Sequence, residues 1–498
     1  MESEKQDQLV GESAGWRFVH TYAGLPEALH RRVGPEPVPD PRLVLFNRGL
    51  AREMGLRPEL LEGELGAKVF SGNLVPAGAL PLAQAYAGHQ FGHFTMLGDG
   101  RALLMGEHRM PDGKRVDVQW KGTGRTPYSR RGDGRAALGP MLREYVISEA
   151  LWALHVPTTR SLAVTTTGAP VRRERELSGA VLTRVAASHI RVGTFEHASA
   201  LGDVAVLRAL FEYTAERHDP SVLEAENPGL AFLEGVVERQ AALLAKWMNL
   251  GFIHGVMNTD NMAVSGESID FGPCAFMDSY DPETVFSSID HTGRYAYGRQ
   301  PALAAWNLAR LAEALLPLID SDGKRAAEQA EEVVIGFENR FRKHWMTGMR
   351  SKLGLFQELD DDAVLFGELF AAMKGSHSDF TRTFRALSDV AVIHGGADFV
   401  AAPDGVPDSW LQAWRGRLSQ QGEDAAESVS LMRRHNPVYI PRNHIVERAL
   451  DDAQDGNMMS VEDLVEVLAN PFEEQPEREE YAAPPARQDP GYRTFCGT

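Results

Sequence analysis

Near the middle of the chain, oxygen and nitrogen side chains stand at spacings suited to metal and phosphate chemistry. They lie in His254-Gly-Val-Met-Asn-Thr-Asp260-Asn261 and, shortly after, in Ile269-Asp270-Phe271-Gly272. In kinase-type loops an Asp stands two residues after the His and takes the proton of the acceptor hydroxyl. An Asn five residues further on and the Asp of a D-F-G hold Mg²⁺. Here the His, the Asn and the D-F-G are present, but Val256 stands where the base belongs. Valine cannot accept a proton. Either the site is inert, or another group supplies the base and the transferred group need not be phosphoryl. Asn261 and Asp270 are hard oxygen donors suited to Mg²⁺ or Mn²⁺.

A nucleoside triphosphate also needs cations and backbone N–H donors. Gly98-Asp-Gly100-Arg101 lets the backbone approach a phosphate, and Lys121 can neutralise its oxygens. Between Lys121 and Glu144 runs a loop rich in Gly and Arg that includes Asp133 and Gly134, and Arg184 and Arg191 follow. Each signal has a plainer reading: a G-x-G is most often a hairpin turn, and D-F-G arises by chance. An Arg-rich loop is usually a solvated surface. His254 is expected to pack and hold its loop, and Asp133 can simply pair with Arg131 or Arg135. Order favours the joint reading, because Gly turn, strand Lys, helix Glu, loop Asn and D-F-G occur in kinase sequence. No G-x-x-x-x-G-K-[ST] is present, which disfavours a Walker-type ATPase.

These residues need a scaffold. The pattern predicts a strand over Phe91–Leu97, a tight turn at Gly98–Gly100 and a strand over Ala102–Met105. A clean alternation follows in Arg115–Lys121, with Val116, Val118 and Trp120 on one face and Asp117, Gln119 and Lys121 on the other. Pro140–His155 reads as a helix, with Glu144 in a stripe with Met141, Ile147 and Leu151. A carboxylate there asks for a cation such as Lys121. Ala231–Asn249 is a second helix, closed by Gly251 immediately before the His254 loop. Pro41–Met54 reads as helical, residues 300–450 as mostly helical, and Pro471–Pro490 as extended. The expected class is α+β: a protein-kinase-like two-lobed fold with N- and C-terminal extensions. Its expected parts are an extension over 1–80, an N-lobe over 81–195, a helical C-lobe over 196–400 and a C-terminal extension over 401–498.

Composition narrows the partners. A net charge of −18 over 498 residues argues against nucleic acid as a main partner. No apolar run is expected to reach the roughly 18 residues of a spanning helix. A polar, acidic N-terminus and two cysteines point to the cytoplasm, away from membranes.

The segments Tyr86–Gly92, Leu97–Arg101, Gln119–Arg130, His254–Asn261 and Asn436–His444 resemble the selenoprotein O family over nearly the whole chain. The resemblance implies a kinase-like fold that transfers AMP from ATP to Ser, Thr or Tyr hydroxyls of proteins, or UMP from UTP with Mn²⁺. By that resemblance Gly98, Gly100, Arg101, Lys121, Asp133, Gly134, Arg184 and Arg191 hold a nucleotide bound in flipped orientation. Asn261 and Asp270 bind the metal, and Asp260 accepts the proton. The family's selenocysteine near the terminus, where Cys496 stands here, suggests a reversible Cys274–Cys496 disulfide. The rivals are an ordinary kinase and a catalytically dead nucleotide-binding scaffold. Glu144→Ala is expected to lower activity with little unfolding.

Overall fold

The computed structural model describes residues 13–391, 402–422, 424–486 and 492–494. Its first half is built from strands β1 (His30–Arg32), β2 (Arg42–Phe46), β3 (Leu82–Gln84), β4 (Ala87–Gln90), β5 (His93–Met96), β6 (Ala102–Arg109) and β7 (Arg115–Lys121). Helix α1 (Leu138–Ala153) and strands β8 (Arg160–Arg172) and β9 (Glu176–Ala186) follow. The large sheet is antiparallel, in the order β1-β3-β6-β7-β9-β8-β2. The alternation of β7 holds. Val118 and Trp120 enter the core, and Lys121 lies opposite Ala102 and Leu182 on neighbouring strands. Asp117, Gln119 and Lys121 are also buried on the other face, and each meets a polar or charged partner there.

Two expected elements are different. Phe91–Leu97 is not the first strand of a meander. Phe91 and Gly92 form the turn of a separate hairpin, β4–β5, with φ of 51° and 87°. Such two-residue turns favour Asn and Gly, so a Phe at positive φ hides the turn from the sequence pattern. Gly98–Gly100 therefore leads out of this hairpin and does not join adjacent strands of the large sheet. Pro41–Met54 is β2 followed by a short helix, Arg48–Glu53, whose N-cap Asn47 accepts from the Leu50 N–H at 2.9 Å. Pairing of β2 with β8 overrides the local helical pattern.

The helical half begins with α2 (Val192–Ala200) and α3 (Pro228–Leu250). Gly251, at φ 71°, ends α3 in a left-handed cap. Strands β10 (Phe252–Ile253) and β11 (Ala275–Phe276) then pair and pinch both ends of the 254–274 loop. The segment Tyr297–Ile319, helix α4 (Gln300–Ile319) with the short turn before it, is long and apolar enough to cross a membrane by length and composition, although Arg310 and Glu313 interrupt its apolar run. It serves here as a core helix, burying Leu303, Leu308, Leu311 and Leu315 and carrying Arg310 and Glu313 as an ion pair at 2.7 Å. Helices α6 (Asn443–Gln454) and α7 (Met459–Leu468) pack Ile445, Val446, Leu464 and Val467 against Tyr145 and Val146 of α1. Helix α1 is thus held between the sheet and the C-terminal extension.

Helix α5 (Phe337–Lys352) ends on a buried lysine whose ammonium lies over the Phe384 ring, 4.1 Å from its centroid. Burial pushes the Lys352 amine down to about 7. Between that value and the unfolded-state value of about 10.4 the unfolded chain binds the extra proton, so stability rises with pH. Lys352→Met is expected to remove this slope of about 1.4 kcal/mol per pH unit. Urea unfolding of both proteins at pH 7.5 and 9.5 measures it, and parallel pH dependence would show that the lysine stays charged in the fold.

Candidate active site

The strand order brings Lys121 at the end of β7, Glu144 in α1 and Asp270 of the pinched loop to one point. The Lys121 Nζ donates to Glu144 Oε2 at 2.8 Å and to Asp270 Oδ1 at 3.0 Å. The Arg184 guanidinium, from β9, bridges the same two carboxylates, and Arg191 reaches Asp270 Oδ2 at 3.5 Å. Burial raises the pKa of Asp270, but Arg184, Lys121 and Arg191 outweigh it and hold the carboxyl well below its ordinary value. Asp270 sits at φ 63°, a strained backbone for a non-glycine residue.

His254 holds the loop. Its Nε2 bonds the Ile269 carbonyl at 2.8 Å, and its ring stacks on Trp247 at 5.3 Å. The Asn261 Nδ2 donates to the Val256 carbonyl at 3.0 Å. Asp260 is buried, and its Oδ1 has no hydrogen-bond partner among the described residues. Burial raises the Asp260 carboxyl to about 6, against the lowering effect of Arg191.

Two adjoining cavities meet at Asp260. One, of about 450 Å³, is lined by Lys121, Glu144, Arg184, Arg191, Val256, Asn261 and Asp270. The other, of about 590 Å³, is lined by Gly98, Gly134, Asp133 and the arginines 125, 130, 131, 135, 172 and 173. Asp260, Gly100, Arg101 and Arg130 line both. The result is one cleft, with carboxylates, an amide and paired cations at one end and a loop rich in arginine at the other. A wider cavity of about 1220 Å³ lies behind α1, where Arg160 and Glu149 are paired with each other at 2.8 Å.

Every described residue singled out for the nucleotide or metal therefore lines this cleft, with two adjustments. Asp133 pairs with Arg173 at 2.9 Å, and the Arg135 contact is only its backbone N–H at 2.9 Å. Gly98 is required by packing: at φ 146°, a Cβ there would stand 2.4 Å from the Tyr128 ring. Gly134, at φ 69°, would set a Cβ 2.0 Å from the Gly124 carbonyl oxygen.

Sequence reasoning missed several contributors. Gln119 bridges Arg184 at 3.2 Å and the buried Asp99 at 3.1 Å, Gln90 reaches Asp260 at 3.5 Å, and Tyr86 stacks under Arg191 at 4.4 Å. For Gln119 the signal was available, since it shares the face of β7 with Lys121.

Oxygen donors from Asn261 and Asp270, with the orphaned Asp260 oxygen beside them, suit a hard divalent cation. No cluster of three or more His, Cys, Asp or Glu groups exists among the described residues.

A family model described as "Protein adenylyltransferase SelO" matches residues 15–469. The chain belongs to the SelO family. Among relatives, a "Protein nucleotidyltransferase YdiU" of Geobacillus kaustophilus is 56% identical over 486 residues, covering 97% of this chain and 100% of the relative. One of Rhizobium etli is 56% identical over 490 residues, and one of Syntrophotalea carbinolica 54% over 485. With that membership the protein is a nucleotidyltransferase, and the cleft is its candidate active site.

Of the two cysteines, Cys274 is buried in the core beside the metal loop, with its Sγ 3.3 Å from the Phe271 carbonyl. Cys496 lies outside the described residues. Two positions before it, Thr494 pairs with Ser287 and donates its hydroxyl to the Pro273 carbonyl at 2.6 Å.

Proposed function

We propose that this SelO-family member is a protein adenylyltransferase on a kinase-like two-lobed scaffold, moving AMP from ATP to Ser, Thr or Tyr hydroxyls. The supporting observation is Asp260. It is buried at the junction of the two cavities with an unbonded oxygen, whereas the kinase base position holds Val256. A nucleotide whose α-phosphate lies near Asp260 directs its β- and γ-phosphates into the arginine-rich cavity. Kinase orientation would place γ-phosphate chemistry opposite a valine.

The acceptor hydroxyl attacks the α-phosphorus, and its proton passes to the Asp260 carboxylate. The bond from the α-phosphorus to the bridging oxygen breaks, and pyrophosphate leaves among the guanidinium groups. Arg101 and Arg130, shared by both cavities, meet the charge that develops on it. Mg²⁺ or Mn²⁺ held by Asn261 and Asp270 supplies neutralisation of phosphate charge. Lys121, fixed by Glu144, and Arg184 and Arg191 orient the phosphates.

Reaction with ATP labelled separately at the α and γ positions tests this. Acid-stable α-label on protein is expected, and γ-label alone would promote the kinase reading. No label of either kind would favour the inert scaffold. α-Labelled UTP with Mn²⁺ measures the second donor in the same assay.

The resemblance also supports a reversible Cys274–Cys496 disulfide that tethers the C-terminal tail beside the metal loop. Thr494 on Pro273 brings the chain next to Cys274 two residues before Cys496. Alkylation with mass mapping is expected to find both thiols protected after mild oxidation. Transfer rates indifferent to reduction would remove the regulatory role.

A further inference from the structure

The β4–β5 hairpin carries features that nucleotide binding leaves unexplained. The outer edge of β4 is spent on the catalytic loop: the His89 N–H donates to Thr259 Oγ1 at 2.7 Å, and the Phe91 N–H to Asn258 Oδ1 at 3.3 Å. The hairpin therefore rests on the segment that carries Asp260 and Asn261. The outer edge of β5 pairs with no strand among the described residues. Gln90 faces His93 across the turn, and the Leu97 N–H donates to the Tyr86 carbonyl at 2.9 Å. Antiparallel alternation then turns the peptide groups of Phe94 and Met96 outward.

An open edge is ordinarily blunted by proline, charge or a bulge. None of these stands within His93–Met96, apart from the titratable His93 itself. Phe94 and Met96 share one face of β5 and are each 46% exposed, and Phe91 at the turn is 37% exposed. Phe91 and the exposed Ile289 also line the cavity that holds Asp260. The apolar surface is thus continuous with the opening through which an acceptor hydroxyl must arrive.

Arg294 adds a charge. Its guanidinium lies about 4 Å from where a Gly92 Cβ would stand, at the hairpin tip, and over the Trp306 ring at 5.1 Å. It makes no ion pair with a carboxylate among the described residues, and its buried Nε has no hydrogen-bond partner there. The net charge of −18 repels an acidic segment overall, so a local cation at the hairpin tip is what an acidic side chain arriving there requires.

We propose that β5 is the docking edge for the protein substrate. An extended segment adds to it as a strand, with an apolar side chain over Phe94 and Met96 and an acidic side chain at Arg294. Main-chain hydrogen bonds along an edge give affinity without sequence, and side-chain contacts give selectivity. The substrate class is therefore a flexible segment whose acceptor hydroxyl is flanked by apolar and acidic residues. This rests on the nucleotidyl-transfer reading above.

The test uses the full chain, α-labelled ATP and two synthetic peptides with Ser, Thr and Tyr acceptors. One peptide carries flanking Leu and Glu, and the other has Ser and Lys in their place. Wild type is expected to prefer the first. A Phe94→Ser, Met96→Ser double variant should raise the KM for that peptide about tenfold, a loss of about 1.4 kcal/mol, with kcat and the KM for ATP unchanged. Arg294→Gln should erase the preference for Glu. Met96→Pro, which removes one outward donor without touching the β4 pairing, should raise KM in the same way if the double variant folds poorly. Equal KM values across peptides and variants, or self-labelling with no peptide transfer, overturn the docking edge and leave the adenylyltransferase reading standing. Absence of α-label on any protein, the enzyme included, removes that reading and the docking edge with it.

Discussion

Asp260→Ala is expected to lower transfer of the α-labelled group by about 10²–10⁴-fold, the usual effect of removing a general base. ATP binding should survive, because the phosphate-facing cations Lys121, Arg184 and Arg191 keep Asp270 as their organiser. Asp270→Ala should behave differently. Transfer and the metal-dependent part of ATP binding should both disappear. Metal-free ATP binding should persist or strengthen, since Arg191 loses its carboxylate, and Lys121 and Arg184 keep only Glu144, so all three turn more fully to the phosphates. Titration calorimetry with and without Mg²⁺, beside the label assay, separates the two roles. If Asp260→Ala loses metal-dependent binding as fully as Asp270→Ala, then Asp260 is a metal ligand and the proton acceptor lies elsewhere.

Glu144→Ala is expected to destabilise the fold by about 3–5 kcal/mol, the magnitude for breaking a buried ion pair. This differs from the loss of activity with little unfolding expected from the sequence alone. Only 2% of Glu144 is exposed, and it faces both Lys121 and Arg184, so alanine leaves these two buried cations to share Asp270 with Arg191. Helix α1 cannot move aside to hydrate them, because α6 and α7 cover its other side. Glu144→Gln, which keeps oxygen and volume, should lose less. Urea unfolding of the three proteins decides it, and a difference under about 1 kcal/mol would mean that water reaches the site.

Much of the candidate site was legible because its residues stand close together along the chain. The loop from His254 to Asn261 and the D-F-G could be picked out from spacing alone. The face of β7 could be read from alternation, and the end of α3 from Gly251. Other parts depend on distant partners. Asp133 was assigned to the nucleotide by resemblance, with pairing to Arg131 or Arg135 as the plainer reading, but its ion-pair partner is Arg173, 40 positions away. Gly98 was read as a phosphate approach or a turn, yet the Tyr128 ring leaves no space for a Cβ.

By itself the sequence determined which candidate groups are present, their order and the valine at position 256, because side-chain chemistry and short spacings do not depend on the fold. Tertiary structure alone decided that Asp260 is buried at the meeting of two cavities, that Phe91 sits in a turn with an open strand beside it, and that α1 is held from both sides. Burial, edge pairing and the sharing of one carboxylate among several cations arise from contacts between residues far apart in the chain. No local pattern encodes them.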